Sequence, residues 1–172
     1  MSTENKVKYG TTTVLTATNL QSLASSITAG WQSARQSNLS NLALDYEISI
    51  KLPTANTAPA NDKCVYVYIS EAYTTDAGTT WIHDDVGNGT VPSGSEGTIT
   101  VLSNATGPMS AKLLGIIPYY TQNMTMQKTF KLSNVAGQFM PDGFSIILVN
   151  FTGAALSTGC VVDITPITET NA

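Results

Sequence analysis

The chain has 172 residues, enough for one domain with its own core, and 42% of them are hydrophobic while only 12% are charged, about half the usual share of roughly 25%. Its net charge is −4 and its eight Lys and Arg are scattered, which argues against a direct hold on a phosphate backbone. No run approaches the ~18 consecutive apolar residues of a membrane span.

Residues 1–10 are polar and lack the apolar centre of a signal peptide, so synthesis in a cytoplasm is expected. Residues 1–18 are rich in Thr, with few large apolar side chains and a short β-prone stretch at 11–16. Such a segment cannot bury itself and reads either as a frayed terminus or as an extended N-terminal arm that orders against a neighbour. The rest, 19–172, reads as a single β-sandwich domain. Residues 19–36 are the best helical candidate: Asn19 can cap, and Leu20, Leu23, Ala24, Ile27 and Trp31 fall at helical spacings. Gly30 and the Ser and Thr content weaken it, leaving a short helix or an irregular segment.

From 42 to 52 the pattern has a period of two. Leu42, Leu44, Tyr46, Ile48, Ile50 and Leu52 point one way, and Ala43, Asp45, Glu47, Ser49 and Lys51 the other. That is a strand with one buried and one wet face, ended by Pro53. A loop at 54–62 follows. Residues 64–70 are apolar on both faces, the mark of a central strand. Residues 73–97 are rich in Gly, Asp, Thr and Ser and read as a long loop or loose hairpin, interrupted by a short run at 79–82. Further short strands are expected at 98–102, 112–120, 125–132, 144–151 and 160–167. The last two are joined by TGAALSTG, where Gly153 and Gly159 suit a hairpin. Seven or eight short strands predict an all-β chain, an antiparallel β-sandwich or jelly roll.

Residues that usually do chemistry are sparse. His83 is the one histidine, and its neighbours Asp84 and Asp85 are too close in sequence to orient an imidazole as a remote triad Asp does. It reads as a solvated loop residue. Asp84, Asp85 and Asn88 offer oxygen ligands, but not at EF-hand spacing, and two distant cysteines with one His make no zinc cluster. Glu47, Glu71 and Glu96 are available as paired carboxylates, with Glu47 on the wet face of its strand. No catalytic, cofactor-binding or metal-ligating residue is expected. Cys64 and Cys160 read as buried and reduced, with a disulfide between them as the other reading. Asn-x-Ser/Thr triplets begin at Asn38, Asn88, Asn104, Asn123 and Asn150 and follow from composition. Tyr66, Tyr68, Tyr73, Trp81, Tyr119 and Tyr120 read as sandwich core and rim, with a sugar-stacking face or an interface core as the other readings.

The order of segments SLASSITAGWQSA, LALDYEISIKL, PANDKCVYVYISEAY and GFSIILVNFTGAALSTGCVVDITPIT resembles tailed-bacteriophage capsid decoration proteins, the cement or head-auxiliary type built on a jelly-roll-like sandwich. The resemblance covers most of 19–168 and rests on order and composition rather than on a fixed motif. It implies a non-enzymatic virion protein, assembled in the host cytoplasm, that stabilises or decorates a shell by bridging coat subunits. The partner it implies is the major capsid protein or another virion protein, with the chain itself a homo-oligomer, trimer favoured, and neither nucleic acid nor membrane bound directly. Thr11, Thr12 and Thr13 of the arm, with Trp81, Tyr119 and Tyr120, are the candidate contact residues. The competing readings are a carbohydrate-binding or host-adhesion module and a tail-associated virion protein.

Overall fold

A computed structural model describes residues 5–60, 63–86, 90–101, 110–137 and 139–171; expectations that fall on Ser2, Asn88, Leu102 and Asn104 lie outside them. The strands in chain order are β1 (Asn5–Tyr9), β2 (Thr13–Val14), β3 (Ala29–Gln32), β4 (Gln36–Ser37), β5 (Asp45–Pro53), β6 (Cys64–Tyr73), β7 (Ile82–His83), β8 (Gly97–Thr100), β9 (Lys112–Pro118), β10 (Thr125–Lys131), β11 (Gly143–Phe151) and β12 (Val161–Asn171), with a single-turn helix α1 (Ser133–Ala136).

All pairings are antiparallel. In the first sheet β1 and β2 run end to end along one side of β12, whose other side pairs with β5, and β5 pairs with β10. In the second, β3 and β4 run end to end along β11, β11 pairs with β6, and β9 and β7 share the far side of β6. β8 adds to the edge at β3. With β1/β2 and β3/β4 each taken as one strand position, and the inserted β7 and β8 set aside, the first sheet runs first–eighth–third–sixth and the second runs second–seventh–fourth–fifth. That order is the double Greek key of a jelly roll.

The period-two pattern explains which faces meet. On β5 Tyr46, Ile48, Ile50 and Leu52 are buried, and Glu47, Ser49 and Lys51 are not. These buried side chains meet Val65, Val67 and Ile69 of β6 and Phe144, Ile146 and Leu148 of β11 in one core. β6 and β11 are apolar on both faces because the outer face of their sheet is covered as well. Tyr68, Ile147 and Val149 pack there with Ile99 of β8, an edge strand of the same sheet, and with Val86, Val101 and Ala111, so described residues between β6 and β9 cover part of that face.

Three expectations change. No helix forms in 19–36: turns occupy 18–22, and β3 and β4 follow. Leu20, Leu23 and Trp31 are all buried, so their helical spacing reflects a turn followed by a strand. Gly30 sits where β3 crosses β11 so closely that a Cβ would lie 2.6 Å from the Leu148 carbonyl oxygen. The alternation at 42–52 becomes a strand only from Asp45, because Leu42 has φ 44° and both Leu42 and Leu44 are exposed. The residues 152–159 do not make a hairpin: β11 and β12 belong to different sheets, and Gly153 and Gly159, both at positive φ, turn the chain from one layer to the other.

Candidate interaction site

β1 and β2 form the open edge of the first sheet, and the local chemistry explains the break between them. The Gly10 amide donates to the Pro166 carbonyl at 2.8 Å. In an antiparallel ladder the amide of Pro166 would return that bond, but proline has none to give. A Cβ on Gly10 would also lie 2.8 Å from Pro166 Cγ, so only glycine fits. The ladder therefore lapses at residues 10–12 and resumes where Thr13 and Val14 pair with Ile164 and Asp163.

A polar cleft of about 400 Å³ opens beside this break. Gly10, Thr11 and Thr13 line one side, Ile164, Pro166 and Thr168 of β12 the back, and Gln36, Ser37, Asn41 and Tyr46 the rest. It therefore lies between the edges of the two sheets. Among the described residues no charged side chain lines it. Its floor is hydrogen-bonded into the fold: the Tyr46 hydroxyl donates to Asn38 Oδ1 at 2.9 Å, which also accepts from the Ala43 amide. Burial pushes the Tyr46 hydroxyl's pKa up, a shift only partly offset by its bond from Asn41, so this phenol stays protonated and neutral.

The register places alternate residues of β1 on opposite faces. Val7 and Tyr9, opposite Glu169 and Ile167, lie on the outer face of the sheet with Glu47 and Lys131, while Lys6 and Lys8 lie on the other. Val7 is 67% exposed and Tyr9 56%. Lys131 stacks 4.7 Å from the Tyr9 ring, donates to its hydroxyl at 3.1 Å and pairs with Glu47 at 2.9 Å. Partial burial lowers the Lys131 pKa, but those two partners more than reverse it. Val14 is exposed on the same face further along.

The candidate contact residues do not form one surface. Thr11 and Thr13 meet at the cleft. Thr12 is turned away, its hydroxyl 2.8 Å from that of Thr165. Trp81 lies across the outer face of the second sheet, against Gly143, with Arg35 stacked 4.2 Å from its ring and its indole N–H donating to Gly78; it is a packed side chain. Tyr119 is fully buried and donates to the Thr57 carbonyl at 2.6 Å, so it contributes to the core and not to a contact face. Tyr120 is 72% exposed.

The potential chemical groups are tied into the fold. Glu71 is buried and holds Lys112 at 2.7 Å and the Tyr73 hydroxyl at 2.7 Å. Glu96 accepts from the Trp31 indole and from Asn19; burial raises its pKa, but those bonds outweigh it and leave it lowered. His83 is not a solvated loop residue: it sits on β7 in contact with Arg35 at 3.3 Å, and burial, reinforced by that cation, lowers its pKa. Cys64 and Cys160 are in no disulfide and both are buried, and burial pushes the Cys160 thiol up to about 11. Asn38 and Asn150 are buried and hydrogen-bonded inside the fold, which removes both as glycan sites. Among the described residues no three His, Cys, Asp or Glu side chains gather to hold a metal, and no helix is long and apolar enough to cross a membrane.

Sequence reading missed Val7, Tyr9 and Val14. The alternation Lys6, Val7, Lys8, Tyr9 was the available signal. No family model matches the chain, and neither does any curated protein.

Proposed function

We propose that this chain is a non-enzymatic virion structural protein that attaches to a capsid surface and stabilises or decorates the shell by bridging coat subunits. The observation that carries the reading is the β1–β2 edge, a folded strand with Val7, Tyr9 and Val14 exposed along one face. Apolar side chains left in water along an open strand edge are suited to a protein partner. The engagement of Glu71, Glu96 and His83 in structural bonds points the same way. The partner is a coat subunit or another virion protein, and the chain acts as a homo-oligomer, trimer favoured, in keeping with the resemblance.

Sedimentation of the purified chain with shells assembled from the coat protein of the same virus tests this. The full chain should pellet with the shells to a saturating ratio, and loss of residues 2–9 should lower occupancy while leaving Leu15, a core residue, in place. A full chain that stays in the supernatant at saturating shell concentration overturns the reading.

One observation favours a second reading, a carbohydrate-binding or adhesion module: the cleft is lined by uncharged hydroxyl and amide side chains, the groups that bind sugar hydroxyls. Glycan-array binding lost in Asn41→Ala would select it; a blank array would remove it.

A further inference from the structure

We propose that the open edge of β1 takes an extended strand from a different polypeptide, one alternating acidic with apolar side chains, and that Lys6 and Lys8 make the same edge refuse a second copy of this chain. The inference deepens the reading above by naming the segment a partner must offer.

The backbone sets the pairing. Because the Gly10 amide faces β12, the antiparallel alternation turns the backbone groups of Lys8 and Lys6 toward β12 as well, opposite Thr168 and Thr170. The N–H and C=O groups of Val7 and Tyr9 therefore point away from β12, and among the described residues β1 pairs with no other strand. A strand added there would complete its ladder on Val7 and Tyr9. Its side chains opposite Val7 and Tyr9 would join the exposed apolar row on the outer face. Those opposite Lys6 and Lys8 would lie on the inner face, in the closer, non-hydrogen-bonded pairs.

Charge then chooses the occupant. Lys6 and Lys8 are exposed, and the ion pairs among the described residues, Lys112–Glu71 and Lys131–Glu47, do not involve them. Antiparallel self-pairing centred on Val7 would set Lys6 of each copy directly opposite Lys8 of the other, and pairing centred on Lys8 would set Lys8 against itself. Like charges directly opposite destabilise a strand pair, and lysines on an edge are a known guard against self-association. An incoming strand with carboxylates at those two positions turns the same repulsion into attraction, so one pair of residues both excludes the wrong partner and selects the right one.

The test is a titration of the isotope-labelled full chain with a synthetic peptide alternating Glu and Val, and with the same peptide carrying Lys for Glu, followed by amide NMR at low salt. The Glu peptide should shift the Val7 and Tyr9 amides saturably and bind about tenfold or more tightly than the Lys peptide, the gap closing as salt screens the pairs. In the Lys6→Glu/Lys8→Glu variant, whose spectrum away from β1 should be unchanged, the preference should invert. The inference is overturned if neither peptide moves those amides, which would leave the lysines as a guard alone, or if both peptides bind equally. Concentration-dependent broadening of the Val7 and Tyr9 amides in the unmodified chain would equally sink it, since the edge would then accept a second copy. Shell sedimentation separates the two claims: occupancy unchanged in the double variant overturns the edge inference and leaves the decoration reading standing, whereas peptide binding without shell attachment does the reverse.

Discussion

Strands β5 and β1 carry the same alternation and meet opposite fates. On β5 the inward side chains Ile48, Ile50 and Leu52 are fully buried, because β12 and β10 flank the strand and the second sheet covers it. On β1 the described side chains, Lys6 to Tyr9, are exposed on both faces. The pairing registers give the reason: β12 meets β5 only as far as Ile167 opposite Asp45, and its last residues pair with β1 alone. Beyond Ile167 the described side chains of β1 stay exposed on this overhanging ribbon. A period of two thus marks a strand in both places, while the neighbours decide whether it builds a core or presents a surface.

The largest effect should come from the buried side of this comparison. Ile48 lies between Phe130 and Ile164 in the register of the first sheet, so Ile48→Ala should cost about 2–5 kcal/mol through lost burial and a residual cavity, read as a fall in the urea midpoint with unchanged slope. A cost below about 1 kcal/mol would mean the two strands do not differ as described. A smaller loss, about 1–3 kcal/mol, is expected for Asn38→Ala, which strands the buried Ala43 amide and the Tyr46 hydroxyl without their shared acceptor. That variant sharpens the comparison from the polar side, because Tyr46 joins the core to the cleft floor.

His83, on the outer layer of the second sheet, belongs to neither extreme and should respond to pH. Its pKa is lowered in the folded protein, by burial first and by Arg35 second, so between the folded value and the ordinary value of about 6.5 the unfolded chain binds the extra proton. Its contribution to stability is therefore intact above that ordinary value and declines as pH falls through it toward the folded value. Thermal midpoints taken from neutral to mildly acidic pH should drop less steeply in His83→Gln than in the unmodified chain. Parallel slopes would show that the imidazole is not held neutral.

Much of the first comparison was legible in the residues, and the second half of it was not. The alternation through Ile48 and the two-sided apolar run through Val67 are local patterns, and local pairing with a covering layer made them β5 and β6. Leu20, Leu23 and Trp31 misled because a turn followed by a strand buries the same three side chains that a helix would. Gly153 and Gly159 announced a change of direction but not which sheet the chain would enter. At the site, Thr11 and Thr13 were singled out from a Thr-rich segment, and the structure places both on the wall of the cleft. The cleft was not, since Gln36, Asn41, Tyr46 and Pro166 come together only when β4, β5 and β12 have found their places. Trp81 and Tyr119 looked available because aromatic identity carries no information about what lies on top of the ring.

The smallest effect on stability is expected at the edge, and there it is the most informative. Val7 is 67% exposed, so Val7→Ala should change the folding free energy by no more than about 0.5 kcal/mol. Tyr9→Phe should do little more, because it removes one exposed bond from Lys131 and leaves the ring in place beneath that cation. If the edge exists to receive a strand, Val7→Ala should nonetheless weaken shell occupancy severalfold, since an apolar side chain buried at an interface loses its partner when it is cut back. A protein whose least stabilising residues are its most binding-sensitive ones has separated folding from attachment along its own sequence. Were Val7→Ala instead to destabilise the fold as Ile48→Ala does, β1 would be a covered strand after all. The open edge would then lose its claim to be the docking surface.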